Sequence, residues 1–117
     1  MDPLVGKNIL ITGASSGIGR ALAVEAAKSG ANLSLAARNL SKLNELKDEL
    51  NTYGVKVIVV ATDVTQEAEC FHFINQSIEH LGSIDILINN AGISMRAPFE
   101  DVKTEVLKEI MDVNLWG

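Results

Sequence analysis

The segment Thr12-Gly13-Ala14-Ser15-Ser16-Gly17-Ile18-Gly19 decides the fold, because it joins a strand pattern directly to a helix pattern. The strand pattern that leads into it, Asn8 to Thr12, is mostly β-branched or aliphatic, and the residues after it repeat small and aliphatic side chains at helical spacing. A strand that enters a helix through a glycine-rich turn is typical of a βαβ unit. The segment therefore predicts an α/β fold with a parallel sheet.

The alternation of strand and helix patterns continues along the rest of the chain. Four short apolar runs are typical of strands buried on both faces of a parallel sheet, at 8–12, 31–36, 55–61 and 84–88. Four amphipathic segments predict helices, at 17–29, 40–51, 65–81 and 100–112. No internal repeat, linker or low-complexity segment interrupts the pattern, which predicts one compact α/β unit.

Hydrophobic spacing also predicts which face of each helix packs on the sheet. The expected faces are Ile18, Leu22 and Ala26 in the first helix, Leu43, Leu46 and Leu50 in the second, and Phe71, Ile74, Ile78 and Leu81 in the third. Asn39 precedes the second helix and has a side chain suited to an N-cap.

The three glycines of the turn are the residues that a nucleotide site needs. Gly13 permits a sharp turn, Gly17 lets the backbone approach a pyrophosphate, and Gly19 allows the helix to pack closely. The helix N-terminus offers free N–H groups to phosphate oxygens, and Ser15 and Ser16 add hydroxyl donors. The alternative is a turn without a ligand, in which each glycine costs about 0.5–1 kcal/mol wherever alanine would fit.

The spacing Gly-x-x-x-Gly-x-Gly resembles the TGxxxGIG signature of the short-chain dehydrogenase/reductase family. Asn89-Asn90-Ala91-Gly92 resembles the family's NNAG motif, and Asp63-Val64 and Val113-Asn114-Leu115 match two further family positions. The resemblance implies a Rossmann-like, doubly wound parallel sheet. It also implies that residues 1–117 form a nucleotide-binding domain with about four strands and four helices of the family's larger sheet.

The end of the second strand predicts which nicotinamide cofactor binds. In NAD-binding sites of this fold an acidic residue there accepts hydrogen bonds from the adenosine ribose. By the resemblance, Ala37 occupies that position and Arg38 follows it. An arginine can pair with a 2′-phosphate, which a carboxylate would repel, so we expect NADP(H) rather than NAD(H). The alternative is that Arg38 only solvates a loop.

The resemblance implies cofactor contacts at four places along the chain, formed by Gly13, Ser15, Ser16, Gly17, Ile18, Gly19, Arg38, Asp63, Val64, Asn89, Asn90, Ala91 and Gly92. In it, Asp63 accepts from the adenine amino group and the Val64 backbone meets the ring edge. Without it, Asp63 is equally an N-cap of the next helix, a role it could share with Thr65. Adjacent amides at a strand end point to opposite faces, so only one of Asn89 and Asn90 is expected to touch the ligand.

The family's chemistry is hydride transfer between the nicotinamide and a ketone or secondary alcohol, with a Tyr-x-x-x-Lys pair, a serine and an asparagine. Only the asparagine has a counterpart here, Asn114, because the single tyrosine, Tyr53, is followed four residues later by Val57. We therefore expect the catalytic part to follow residue 117 and this chain alone to be inactive. The alternatives are a non-catalytic dinucleotide-binding module and an interaction protein that pairs through its fourth strand.

Composition limits the possible partners and the compartment. The formal net charge is −5 and no basic cluster is present, which argues against a nucleic-acid partner. Cys70 is the only cysteine, so the sequence offers no intramolecular disulfide and no CxxC metal or redox site. No run is long and apolar enough for a membrane helix, and we expect a cytoplasmic protein. The resemblance implies a small carbonyl or alcohol substrate and a homo-oligomer, either a dimer or a tetramer.

Overall fold

The computed structural model describes residues 3–90, which form a four-stranded parallel sheet and three helices. The strands are β1 (Asn8–Thr12), β2 (Asn32–Ala37), β3 (Val57–Ala61) and β4 (Ile86–Asn89). The helices are α1 (Gly17–Lys28), α2 (Leu40–Asn51) and α3 (Glu67–Leu81). The strand order β3-β2-β1-β4 confirms the Rossmann-like, doubly wound sheet. The predicted helix at 100–112 lies outside the described residues.

Successive strand residues pack on opposite faces of the sheet, which is why the strands read as continuous apolar runs. Ile9 and Ile11 of β1 belong to the core cluster that contains residues of α1 and α2. Leu10, between them, packs with Phe73 and Ile74 of α3 in a second cluster. The sheet is therefore covered by α1 and α2 on one face and by α3 on the other.

The buried face of α3 differs from the one that hydrophobic spacing predicts. The helix buries Cys70, Phe73, Ile74 and Ser77, whereas Ile78 is 38% exposed. A buried serine fits this face because its Oγ donates to the Phe73 carbonyl at 2.7 Å and lies 2.7 Å from the Oγ of Ser34 on β2. The expectation for Ile78 was wrong because spacing alone cannot reveal a polar pair between helix and sheet.

The buried face of α1 consists of small residues, Gly19, Ala23, Ala26 and Ala27. Ile18 was expected on this face but is 71% exposed. The small side chains let α1 lie close to the sheet, and the larger Ile18 faces solvent at the start of the helix. The expected face of α2 is confirmed, as is its N-cap, because Asn39 Oδ1 accepts the Lys42 N–H at 3.1 Å.

Polar side chains connect the beginnings of the strands. We call this group, which consists of Asn8, Asn32, Ser83 and Asp85, the amide ladder after its two asparagines. Asn32 Nδ2 donates to Asn8 Oδ1 at 3.2 Å, and Asn8 Nδ2 donates to Ser83 Oγ at 3.1 Å. The Asn8 N–H donates to Asp85 Oδ2 at 2.8 Å, and the Lys56 N–H donates to Asn32 Oδ1 at 3.1 Å. These bonds connect the beginnings of neighbouring strands and so help to fix the register.

None of the helices within residues 3–90 combines the length and the apolar character that crossing a membrane requires.

Candidate functional site

The candidate site lies at the carboxyl edge of the sheet, where all four parallel strands end. The chain adds β2 and β3 on one side of β1 and then crosses to place β4 on the other side. Open α/β sheets bind ligands outside the carboxyl ends of the strands, near the point where the strand order reverses. The glycine-rich turn leaves β1 beside this point, and the loops after β2 and β3 flank it.

The backbone of the turn explains two of its glycines. Gly13 and Gly17 have φ angles of +65° and +58°, in the left-handed region that side chains other than glycine rarely adopt. A Cβ at Gly17 would meet nothing within 4 Å. The need for glycine at this position therefore comes from the backbone conformation, and the space in front of it is open to a ligand.

The third glycine is required by packing. A Cβ at Gly19 would overlap the carbonyl oxygen of Gly13 and lie 2.7 Å from Asn90 Nδ2. Asn90 Nδ2 donates to that same carbonyl at 3.3 Å, and Thr12 Oγ1 donates to Asn89 Oδ1 at 2.8 Å. Both adjacent amides therefore bond to the end of β1 or to the turn, and the close packing expected at Gly19 is confirmed.

The N-terminus of α1 presents hydrogen-bond donors without acceptors. Ser16 is the N-cap, but its side chain makes no capping hydrogen bond, and the first turn carries no acidic residue. The N–H groups of Gly17, Ile18 and Gly19 have no acceptor within residues 3–90. Free N–H groups and the positive end of the helix dipole together suit a phosphate oxygen.

A cleft of about 370 Å³ lies between the glycine-rich turn and the ends of β2 and β3. This volume is within the range of small-molecule sites. The residues that line the cleft are Gly13, Ser15, Ala37, Arg38, Asn39, Thr62, Val64 and Thr65. The cleft thus brings together residues from the segments that the sequence analysis singled out after β1, β2 and β3.

Arg38 and Asp63 form an ion pair at this cleft. Arg38 Nη2 lies 3.1 Å from Asp63 Oδ1, and the two side chains are 73% and 28% exposed. Asp63 Oδ1 also accepts from the Thr65 hydroxyl at 2.6 Å and from the Thr65 N–H at 3.0 Å. Hydrogen bonds from the Thr65 side chain and backbone, followed by the one from Arg38, hold the pKa of Asp63 below its ordinary value. The carboxylate is therefore ionised at neutral pH.

The hypothesis that Asp63 caps α3 was wrong. The N-cap is Gln66, and Asp63 instead closes a turn with Thr65, two residues along the chain. The Asp63 N–H donates to Glu69 Oε1 at 2.8 Å, which connects this turn to α3. The turn holds the carboxylate toward Arg38.

Some of the remaining residues that were expected at the site lie within the described part of the chain, and others lie outside it. Ser15 and Val64, which were expected to contact the cofactor, line the cleft, and Ile18 is exposed in the first turn of α1. Ala91, Gly92 and Asn114 lie outside the described residues. Thr62 also lines the cleft but was not expected as a site residue, although its place directly after a strand was an available signal.

Tyr53 lies away from the cleft. It follows α2, which begins near the cleft at Leu40 and runs toward the opposite edge of the sheet. Its side chain is 41% exposed. Within residues 3–90, no group of three or more metal-ligating side chains is close enough to hold a metal ion.

Comparison with known proteins agrees with this geometry. An 11-beta-hydroxysteroid dehydrogenase from Pinus massoniana is 42% identical over 99% of this chain and 33% of its own length. A 3-ketodihydrosphingosine reductase from Bos taurus is 36% identical over 97% of this chain and 36% of its own length. The chain therefore spans about a third of these relatives.

Solved structures show the same similarity. A NAD⁺-bound xylitol dehydrogenase superposes with a TM-score of 0.74 at 32% identity, over 78% of this chain and 35% of its own. The family model described as short chain dehydrogenase matches residues 7–117, and those residues include the glycine-rich turn, the cleft and the two asparagines at the end of β4. The chain therefore belongs to the short-chain dehydrogenase/reductase family of oxidoreductases.

Proposed function

We propose that this chain supplies the cofactor-binding half of an NADP(H)-dependent oxidoreductase that transfers hydride between the nicotinamide and a ketone or secondary alcohol. The cleft would hold the adenosine half of the cofactor, and the N-terminus of α1 would hold the pyrophosphate. When bound, the cofactor supplies the hydride chemistry, and the residues of this chain bind and orient it.

The choice of NADP(H) rests on Arg38. It follows β2 directly, lines the cleft and is 73% exposed, while Ala37 before it carries no carboxylate. A guanidinium at this place can form charge-assisted hydrogen bonds with a 2′-phosphate. The xylitol dehydrogenase with a similar structure holds NAD⁺, so support for the phosphorylated cofactor comes from the residues of this chain.

The names of the relatives support the substrate class. One acts on a hydroxysteroid and another on a ketodihydrosphingosine, which carry a hydroxyl and a ketone respectively. We propose the same pair of functional groups, a secondary alcohol and a ketone, for the complete reaction. The cytoplasmic location and the homo-oligomer stay predictions.

The second candidate is a module that binds a dinucleotide without performing catalysis, since the cleft and the N-terminus of α1 suit cofactor binding alone. The sequence contains one tyrosine, Tyr53, and the residue four positions later is Val57 rather than lysine. Because this chain alone is expected to be inactive in either case, turnover of NADPH with a panel of ketones distinguishes the two candidates only in the protein that joins this chain to the proposed catalytic half. Turnover supports the reductase, whereas tight binding without turnover supports the module.

Cofactor titration with and without Arg38 tests the cofactor assignment. We expect the protein to bind NADPH at least tenfold more tightly than NADH. Arg38→Ala should weaken NADPH binding about tenfold or more, since a charge-assisted hydrogen bond contributes about 1.5–3 kcal/mol. The same change should alter NADH binding less than twofold. Dissociation constants from nicotinamide fluorescence provide the measurement.

Lys28→Ala is the matched control for this titration. It also removes one exposed cation, but from the far end of α1, away from the cleft. It should leave both dissociation constants unchanged within twofold. Equal affinity for NADPH and NADH in the unchanged protein would contradict the cofactor assignment.

A further inference from the structure

The ion pair at the cleft places a negative charge beside the group proposed to bind the 2′-phosphate. Asp63 Oδ1 lies 3.1 Å from Arg38 Nη2, and both residues follow strands that end at the cleft. The arginine therefore approaches the cleft with one of its donors already used. A dianionic phosphate at the same guanidinium would face both this competition and the nearby carboxylate.

The carboxylate is held in place and cannot simply turn away. Its Oδ1 accepts two hydrogen bonds from Thr65, at 2.6 Å and 3.0 Å. The Asp63 N–H is bound to Glu69 Oε1, which connects the turn to α3. Arg38 is the more exposed partner, at 73% against 28% for Asp63. When a phosphate binds, the arginine is therefore the partner that moves or divides its donors.

We propose that Asp63 is a specificity-determining residue that acts through Arg38 and limits how strongly the protein prefers the phosphorylated cofactor. This inference rests on the proposed function, because it requires Arg38 to bind the 2′-phosphate. It assigns Asp63 an effect on the 2′-phosphate in addition to any contact with the adenine ring. A contact with the ring would change the affinities for phosphorylated and unphosphorylated nucleotides equally.

Asp63→Asn separates the charge of the side chain from its shape. The amide oxygen can still accept from Thr65, so the turn is retained, but the negative charge beside Arg38 is lost. We expect the ratio of affinities for 2′,5′-ADP and 5′-AMP to rise at least threefold, because Arg38 is released to the phosphate. Asp63→Ser is a second neutral variant whose hydroxyl can also close the turn, and the ratio should rise in the same direction.

Isothermal titration of 2′,5′-ADP and 5′-AMP provides the measurement. These probes report on the adenosine half of the site alone. In the Arg38→Ala background, Asp63→Asn should change the ratio less than twofold, because only repulsion through solvent remains and salt screens it. Glu49→Gln is the matched control, since Glu49 also pairs with an arginine, Arg20 at 2.6 Å, and neither residue lines the cleft. It should leave the ratio within twofold.

The outcomes distinguish this inference from the proposed function. An unchanged or lower ratio in both Asp63 variants, with Arg38→Ala still lowering it, overturns the role of Asp63 and leaves the cofactor assignment in place. An equal change in both affinities also overturns that role, because it indicates only an adenine contact or a structural effect. A protein that does not prefer 2′,5′-ADP, and that Arg38→Ala leaves unchanged, contradicts the proposed function and this inference with it.

Discussion

The two edges of the sheet are built from similar polar residues but use them in opposite ways. At the amino-terminal edge, the side chains of the amide ladder bond to one another and to neighbouring backbone groups. At the carboxyl edge, the N–H groups that begin α1 have no acceptor within the described part of the chain, and a cleft of about 370 Å³ opens beside them. One edge is closed by its own hydrogen bonds and the other is open to a ligand.

This difference follows from the parallel sheet. Every strand ends at the carboxyl edge, and each following helix begins near it, so the positive ends of the helix dipoles gather on that side. The amino-terminal edge receives the ends of the helices and the starts of the strands. Changes at the amino-terminal edge should therefore alter stability alone, whereas changes at the carboxyl edge should alter binding, with or without a loss of stability.

The largest effect is expected from Gly19→Ala at the carboxyl edge. The added Cβ would overlap the Gly13 carbonyl oxygen and crowd Asn90 Nδ2, so α1 must move away from the turn. Overpacking of this kind costs about 3 kcal/mol, the upper end of its usual range. Urea denaturation should show this loss in the free energy of unfolding, and NADPH affinity should fall at least tenfold.

Ala21→Ser is the control for that change, at an exposed position two residues further along α1. It should cost about 0.5 kcal/mol through helix propensity and leave NADPH affinity unchanged. A Gly19→Ala variant as stable as the unchanged protein would show that the turn and α1 separate at little cost.

A smaller effect, confined to stability, is expected from Asn8→Ala in the amide ladder. Asn8 is 7% exposed, and its side chain bonds to Asn32 and Ser83. Removing it breaks these part-buried hydrogen bonds, each of which contributes about 0.5–1.5 kcal/mol, so we expect a loss of about 1–3 kcal/mol in the free energy of unfolding. Asn44→Ala, at an exposed position on α2, should raise the free energy of unfolding by about 0.5 kcal/mol, because alanine has the higher helix propensity. A weakened NADPH affinity in Asn8→Ala would contradict the separation of the two edges.

The smallest effect is expected in the interior, away from both edges of the sheet, at the buried hydroxyl pair of Ser34 on β2 and Ser77 on α3. Ser34→Ala removes one hydrogen bond of 2.7 Å, while Ser77 keeps its bond to the Phe73 carbonyl. We expect a loss of about 1 kcal/mol in the free energy of unfolding and no change in NADPH affinity. Urea denaturation with Ser41→Ala, an exposed serine on α2, as the control checks this value. A loss above about 3 kcal/mol would show that the pair does more than connect α3 to β2.

The glycine-rich turn shows how much of the site local sequence could predict. Gly13 and Gly19 were assigned a sharp turn and close packing, and the structure has both. These assignments succeeded because the constraints act within a few residues of the chain. Ser77 and Ile78 show where local sequence fails to predict which side chains are buried. Ser77 is buried beside Ser34 of β2, more than forty residues away along the chain, and Ile78 next to it is exposed.

The sequence by itself determined the order of strands and helices, the glycine turn and the place of Arg38 directly after β2. Only the tertiary structure decided that Arg38 and Asp63, 25 residues apart, form an ion pair at one cleft. The physical reason is that hydrophobic period and turn chemistry are local properties of the chain. The pairing of β2 with β3 brings their loops together, and a sequence pattern carries no direct record of the resulting contact.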